Sequence, residues 1–424
     1  MWHPKSGPDL LIVATETNTV YALNAVTGAV VWRQQLLPAV PVGDLGCGDI
    51  NPEGVTGAPV IDAATGTLYL DALTLSAGNV RQMMYGLSVT TGAVLTGWPL
   101  DVQAALATAG YSFSSTHQGE RSALLDQGGK IYAVYGGRSG DCDPYNGVVI
   151  EVDPATRALT GNWETRALRG GIWSQGGISS TGTQMFITTG NTTGPAGYAY
   201  GDGESVVRLT AGLKRSGSAA NYYAPANWLT LDKDDADLGG TEALPVNLAD
   251  GSGKTTASII AFGKDGNAYL LNRGNLGGIG GAATIVHVDG GAIITGPAVY
   301  ATSSGDMVAF TNANPVGCSG SGIMMITLSP SASSPISVDW CASYSGNGAP
   351  VITTTDGTAN PIVWVTGSDG DNELHGFNAL TGATVFNGAG TAMTGLHRYS
   401  TLIASDHRLY VAGDNHVYAF TFTP

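Results

Sequence analysis

The chain has 424 residues, of which 43% are hydrophobic and only 12% charged, and it carries a net charge of −15. That apolar share excludes a disordered chain. The acidity excludes a nucleic-acid partner, which would need clustered Lys and Arg. No apolar run approaches the ~18 residues of a membrane span, so no membrane insertion is expected.

Short apolar stretches cut by Gly, Asn, Asp and Thr run from end to end and predict strands. Eight units follow in chain order. The first, near 10–36, holds LLIVAT, VYALN and VVWRQQL; the second, near 55–100, holds APVID, TLYLDAL and MMYGLSV. After it, 102–109 predicts one short helix. The third unit lies near 120–166 (KIYAVYGG, GVVIEVD, NWETR) and the fourth near 171–231 (GGISS, QMFITTG, SVVRLT). The fifth runs from about 256 to 290, the sixth from 293 to 342, the seventh from 347 to 389 and the last from 398 to 424. A long loop insertion is expected near 212–254.

One phrase recurs through these units. It reads VYALNAVTGAVVW at 20–32 and MYGLSVTTGAVLTGW at 84–98. It returns as VIEVDPATRALTGNW at 149–163 and, without the Trp, as HGFNALTGATVFN at 375–387. Self-similar units of short strands signal a radial repeat. The expectation is an all-β chain forming a single β-propeller domain over 1–424, with eight four-stranded blades closed by N- and C-terminal strands. Seven blades is the alternative if the incomplete ends share one blade. Trp32, Trp98 and Trp163 are then inter-blade packing residues, because an indole brings a large apolar area.

The four cysteines, Cys47, Cys142, Cys318 and Cys341, form no CxxC pair, which argues against zinc. Cys318 and Cys341 bracket two strands of one unit and could staple a hairpin. Cys47 and Cys142 lie in Gly/Asp-rich loops and could pair across units; free buried thiols are the alternative. Two disulfides suit an exported protein, periplasmic or extracellular. The first residues, MWHPKSGPDLLIVAT, run straight into a strand, so any leader would lie upstream.

The repeated A-x-(D/N)-x-x-T-G-x-x-x-W resembles the tryptophan-docking repeat of the pyrroloquinoline quinone (PQQ) propeller superfamily. Four segments are also similar to functional parts of its alcohol dehydrogenases. GGIWSQGGISSTGTQMFITTGN at 170–191 maps Trp173 as a platform for the quinone and Asn191 as a calcium ligand. LDKDDADLGG at 231–240 maps Asp237 as the catalytic base, also counted toward the metal, with Asp235 beside it. FGKDGNAYLLNR at 262–273 maps Lys264 as the cation beside the quinone carbonyls. GRSGDCDPYNG at 137–147 offers Asp141 and Asp143 as calcium ligands. LGCGDINPEG at 45–54 departs from the family: one Cys, Cys47, stands where a vicinal pair sits over the quinone, and Glu53 replaces an Arg. There is no CxxCH haem motif.

The resemblance implies a PQQ- and calcium-dependent oxidoreductase acting on an alcohol or sugar hydroxyl. An indole supplies a flat face, a hard cation bound by oxygen polarises carbonyls, and a carboxylate takes the proton. Each residue also has a plain reading. Trp173 can be a packing wedge, Asn191 a turn residue, the LDKDDAD run a solvated acidic loop, and Lys264 a turn cation. Two further classes stay open: a non-catalytic scaffold binding protein or polysaccharide, and a lyase or hydrolase built on His117, Arg121, His397 and Arg398. The partner expected in either enzyme class is a small molecule or carbohydrate.

Overall fold

The computed structural model describes residues 1–250, 252, 254–330, 334–388 and 392–422. Residues 251 and 253 of the expected insertion, and the last two residues of the expected final unit, lie outside the described residues. The chain divides into two compact units. One comprises Met1–Gly217 with Trp228–Lys233, the other Ser218–Asn227 with Asp234–Pro424.

The first unit contains four blade sheets. Blade one is Leu10–Ala14, Thr19–Asn24 and Val30–Gln35, and blade two is Val60–Asp62, Thr67–Ser76, Asn79–Ser88 and Leu100–Asp101. Blade three is built on Lys130–Gly137, Val148–Asp153 and Ala158–Glu164, with Gln118–Gly119 and Leu125–Gln127 at its inner side. Blade four carries Ser179–Ser180, Met185–Thr189 and Ser205–Leu209.

The second unit contains the other four. Blade five is Leu244–Ala249, Thr255–Phe262, Asn267–Asn272 and Ala283–His287; blade six is Ala298–Tyr300, Met307–Asn312, Gly322–Leu328 and Ile336–Ser343. Blade seven is Val351–Thr353, Ile362–Thr366, Leu374–Asn378 and Thr384–Asn387, and blade eight is Leu402–Ser405, Arg408–Gly413 and His416–Thr421. The chain is therefore an all-β propeller of eight blades. The seven-blade alternative falls, because the first and last sheets are separate three-stranded sheets.

Burial follows position in the blade. The middle strands, such as Val148–Asp153 and Met307–Asn312, are buried almost throughout, while the outer strand Val30–Gln35 is exposed or half-exposed. A sheet covered on both faces selects continuous apolar runs, and an edge facing water does not. Leu68, Leu70 and Leu87 pack between blades one and two; Phe262, Phe310 and Met324 pack between blades five and six. Each such side chain contributes about 1.5–3 kcal/mol on leaving water.

The repeated phrase has two local causes. Its Asn or Asp closes the turn: the Asn24 side-chain oxygen accepts the N–H groups of Val26 and Thr27, and Asp153 and Asn378 do the same in their blades. Its Trp docks on the next blade. The Trp32 indole donates to the Val89 carbonyl at 3.0 Å, and that of Trp340 to Ala379 at 2.8 Å. A bulge directly precedes Trp32, Trp340 and Phe386 in the outer strands of their blades, between Ala22/Leu23, Met325/Ile326 and Gly376/Phe377. One residue of the outer strand is thereby left unopposed and the local twist rises, which re-aims the side chain that follows.

The expected short helix forms as α1 (Val102–Thr108), with Asp101 accepting the Ala104 N–H at its start. Two expectations need correction. The acidic run is not a solvated loop throughout: residues 228–234 form helix α2 (Trp228–Asp234), and Asp232 is buried. The insertion is also shorter than expected, since Leu244–Ala249 is already a strand of blade five. Its alternation of apolar and polar residues was too brief to separate from a loop. Among the described residues no helix is long and apolar enough to cross a membrane.

Candidate functional site

Trp173 and Asn191 are brought to adjoining segments of the first unit. The Gly170 N–H donates to the Asn191 carbonyl at 2.7 Å and the Gly190 N–H to the Gly171 carbonyl at 3.0 Å. Just outside them, Leu168–Arg169 pairs antiparallel with Thr192–Thr193. Both side chains are half-buried.

The segment is pinned by a residue that motif reading passed over. The buried Asp232 carboxylate on α2 accepts the Thr192 N–H at 2.8 Å, the Thr192 hydroxyl at 2.7 Å and the Tyr198 hydroxyl. Burial, then the Asp232 bond, pushes the Tyr198 phenol up to about 12. The signal was present as an acid one turn after Trp228, but it is legible only once α2 is known to be a helix.

Asp141 and Asp143 face a cation of the protein itself. The Arg169 guanidinium donates to Asp143 at 2.8 Å and to Asp141 at 3.2 Å, and the Tyr145 hydroxyl donates to Asp141 at 2.7 Å. In the second unit, the Lys264 ammonium lies 2.5 Å from a buried Asp237 oxygen and 3.3 Å from Asp235. The Lys264 N–H also donates to the Asp237 carbonyl at 2.9 Å. Burial acts to lower the Lys264 pKa, but Asp237 and then Asp235 outweigh it and hold the ammonium above its ordinary value.

These pairings test the fit of a resident calcium. A hard cation takes six to eight oxygens, several of them carboxylate. Asp141, Asp143 and Asp237 each already face a guanidinium or ammonium in their own unit. As arranged, this donor set does not fit calcium.

The cysteines pair as Cys47–Cys142 and Cys318–Cys341, so the free-thiol alternative is excluded. Near the first bridge, Glu53 and Arg138 form a buried ion pair of 2.7 Å. The negative charge that stood out in the sequence is thus balanced by an arginine 85 residues away. The first unit holds a further buried acidic group. Asp71 accepts from Gln82 and from the Tyr135 hydroxyl at 2.8 Å, and burial raises its carboxyl to about 7.

The histidine reading gains little support within either unit. His117 lies 3.3 Å from the Pro144 carbonyl and Arg121 donates to the Gly137 carbonyl at 2.9 Å. His397 is largely exposed and pairs with Asp414 at 3.0 Å, while Arg398 lies 3.9 Å from Asp369.

A groove of about 770 Å³ lies beside the outer strand of blade three. Tyr111, Asn162, Glu164, Arg166, Lys214 and Arg215 line it. Asp202, nearly buried, holds two of the cations: Arg166 at 2.9 Å and Arg215 at 2.6 Å. Arg215 also stacks on the Trp163 ring at 4.9 Å and donates to the Glu164 carbonyl. Burial raises the Glu164 carboxyl, against the opposing pull of Arg215. Trp173 and Asn191 do not line this groove.

No protein-family model matches the sequence, and no curated protein matches it. Solved structures do. The quinohemoprotein alcohol dehydrogenase of Comamonas testosteroni superposes with a TM-score of 0.62 at 15% identity, over 95% of this chain and 68% of that one. A europium-containing methanol dehydrogenase gives 0.61 at 14% identity, over 95% and 80%. BamB of Moraxella catarrhalis gives 0.56 at 14% identity, over 97% and 93%. At such identities the likeness speaks for architecture alone. The chain shares its fold with these dehydrogenases and with BamB.

Proposed function

We propose that this chain is a non-catalytic binding propeller, its two units forming one domain, and that the groove at blade three takes an acidic saccharide. The carrying observation is the groove itself. Its volume suits a small ligand. The half-exposed Tyr111 ring offers an apolar face, and Asn162 and Thr160 offer polar groups for hydroxyls. Arg166, Lys214 and Arg215 gather positive charge on a chain whose net charge is −15. Asp202 fixes two guanidiniums before any ligand arrives, which lowers the ordering cost of binding. The two disulfides support an exported protein, periplasmic or extracellular.

The test is calorimetric titration with a galacturonate oligomer and with a neutral dextran oligomer. The acidic oligomer should bind, and Arg215→Gln should weaken it at least tenfold. Equal affinity for both oligomers, or no effect of the substitution, would overturn the reading.

A second reading, a PQQ-dependent dehydrogenase oxidising an alcohol or sugar hydroxyl, is favoured by one observation. Lys264 and the buried Asp237 form a close ammonium–carboxylate pair at the two motif-matched positions. Calcium would have to displace Arg169 or Lys264 from the carboxylates. Titration with PQQ and calcium, repeated on Asp237→Asn, decides it: a spectral change in the parent that the variant loses would favour the dehydrogenase.

A further inference from the structure

We propose that Arg138 is the base of a second binding site in the first unit, one that anchors the single carboxylate of a small organic acid.

Arg138 is 4% exposed. Its Nε donates to Glu53 at 2.7 Å, and both of its terminal nitrogens, Nη1 and Nη2, are buried without a hydrogen-bond partner. A buried guanidinium with unmet donors is costly, because each lost partner leaves the full desolvation penalty. The arginine lines a small cavity of about 20 Å³, together with Gly48, Glu53, Gly119, Glu120 and Arg121. The cavity reaches the exposed residues Asp49 and Ser139. A space of this volume admits about one water-sized group, such as one carboxylate oxygen, with the rest of the acid toward the mouth.

The space is kept open by missing side chains. A Cβ on Gly119 would lie 3.0 Å from Glu53 Oε1 and 3.6 Å from Arg138 Nη2. A Cβ on Gly48 would lie 3.5 Å from Arg138 Cδ. The two η nitrogens form the fork that meets a carboxylate edge-on.

On the cavity lining Glu53 balances Arg138, and Arg121 offsets the exposed Asp49. Glu120 Oε1 is also buried and unpartnered on the same cavity. Burial, then nearby Asp71, drives the Glu120 carboxyl well up. The exposed Asp49 at the mouth disfavours polyanions. The site shares no lining residue with the groove at blade three and stands or falls independently of it.

The probe is sodium formate, titrated into the whole chain with sodium chloride at matched ionic strength as control. The readout is the arginine side-chain ¹⁵N–¹H signals of Arg138. The expected result is a saturable shift with formate at millimolar concentration and none with chloride. Gly119→Ala, which fills the space beside Nη2, should weaken formate at least tenfold. Arg121→Gln, which leaves Arg138 and Glu53 untouched, should weaken it at least fivefold and serves if the first variant folds poorly. An unsaturable response, an equal response to chloride, or full formate binding by both variants would overturn the site and leave a bound water as the only occupant.

Discussion

Gly92 lies against the face of the Trp32 indole so closely that a Cβ there would stand 2.5 Å from the ring. Gly382 bears the same relation to Trp340, at 2.8 Å. The Thr-Gly of one repeat is thus the floor on which the Trp of the preceding blade rests. Gly92 also has a φ of +74°, a conformation that side chains disfavour. Gly92→Val is therefore expected to cost about 1–3 kcal/mol from crowding in addition to the backbone term. Gly78→Val isolates the backbone term, since Gly78 has a φ of +78° and nothing near its Cβ position. Thermal melts of the two variants should separate, with the Gly92 variant melting lower.

The disulfides should stabilise unequally. Cys318 and Cys341 are 23 residues apart, Cys47 and Cys142 are 95 apart. On the loop-closure account the first is worth about 3 kcal/mol and the second over 4 kcal/mol. Replacing each pair with Ser and comparing the melts checks the order. Equal losses would show that loop entropy is not what these bridges supply.

Asp71 sets a pH dependence with a definite sign. Its carboxyl titrates near 7 when folded, against ~3.9 in an unfolded chain. Between those values the unfolded chain has released a proton that the folded chain keeps. Stability from this group therefore falls as pH rises across that window, by up to about 1.4 kcal/mol per unit. Asp71→Asn should flatten the fall in thermal midpoint between pH 4.5 and 7 relative to the parent. An unchanged slope would mean that Asp71 is ionised in the folded protein.

Lys264 and Asp237 should be coupled whichever function holds. Lys264→Met leaves a carboxylate only 4% exposed without this cation, at a cost of about 3 kcal/mol. The double variant Lys264→Met with Asp237→Leu should recover most of that loss. A simple sum of the two single losses in the double-mutant cycle would contradict the pairing.

Much of the fold was legible in the residues. The Asn and Asp of the repeat bind their own turn, as at Asn24 and Asp153, and such short-range bonding leaves its mark within five residues of sequence. The middle strands read as apolar runs because both faces are covered. The bulges before the docking residues left no mark, since one unopposed residue such as Val31 changes no local propensity. Helix α2 was hidden as well: its acidic residues looked solvated until Asp232 was seen holding Thr192.

The candidate site divides the same way. The sequence alone determined the residue types and the repeat, and hence the propeller, while the separate first and last sheets decided for eight blades over seven. It could not say what each charge faces, because electrostatic partners meet across distances that chain order does not encode. Only the tertiary structure gave Asp143 to Arg169, Asp237 to Lys264 and Glu53 to Arg138. Local hydrogen bonding and burial write the blades, while long-range charge pairing decides which acids remain available for chemistry.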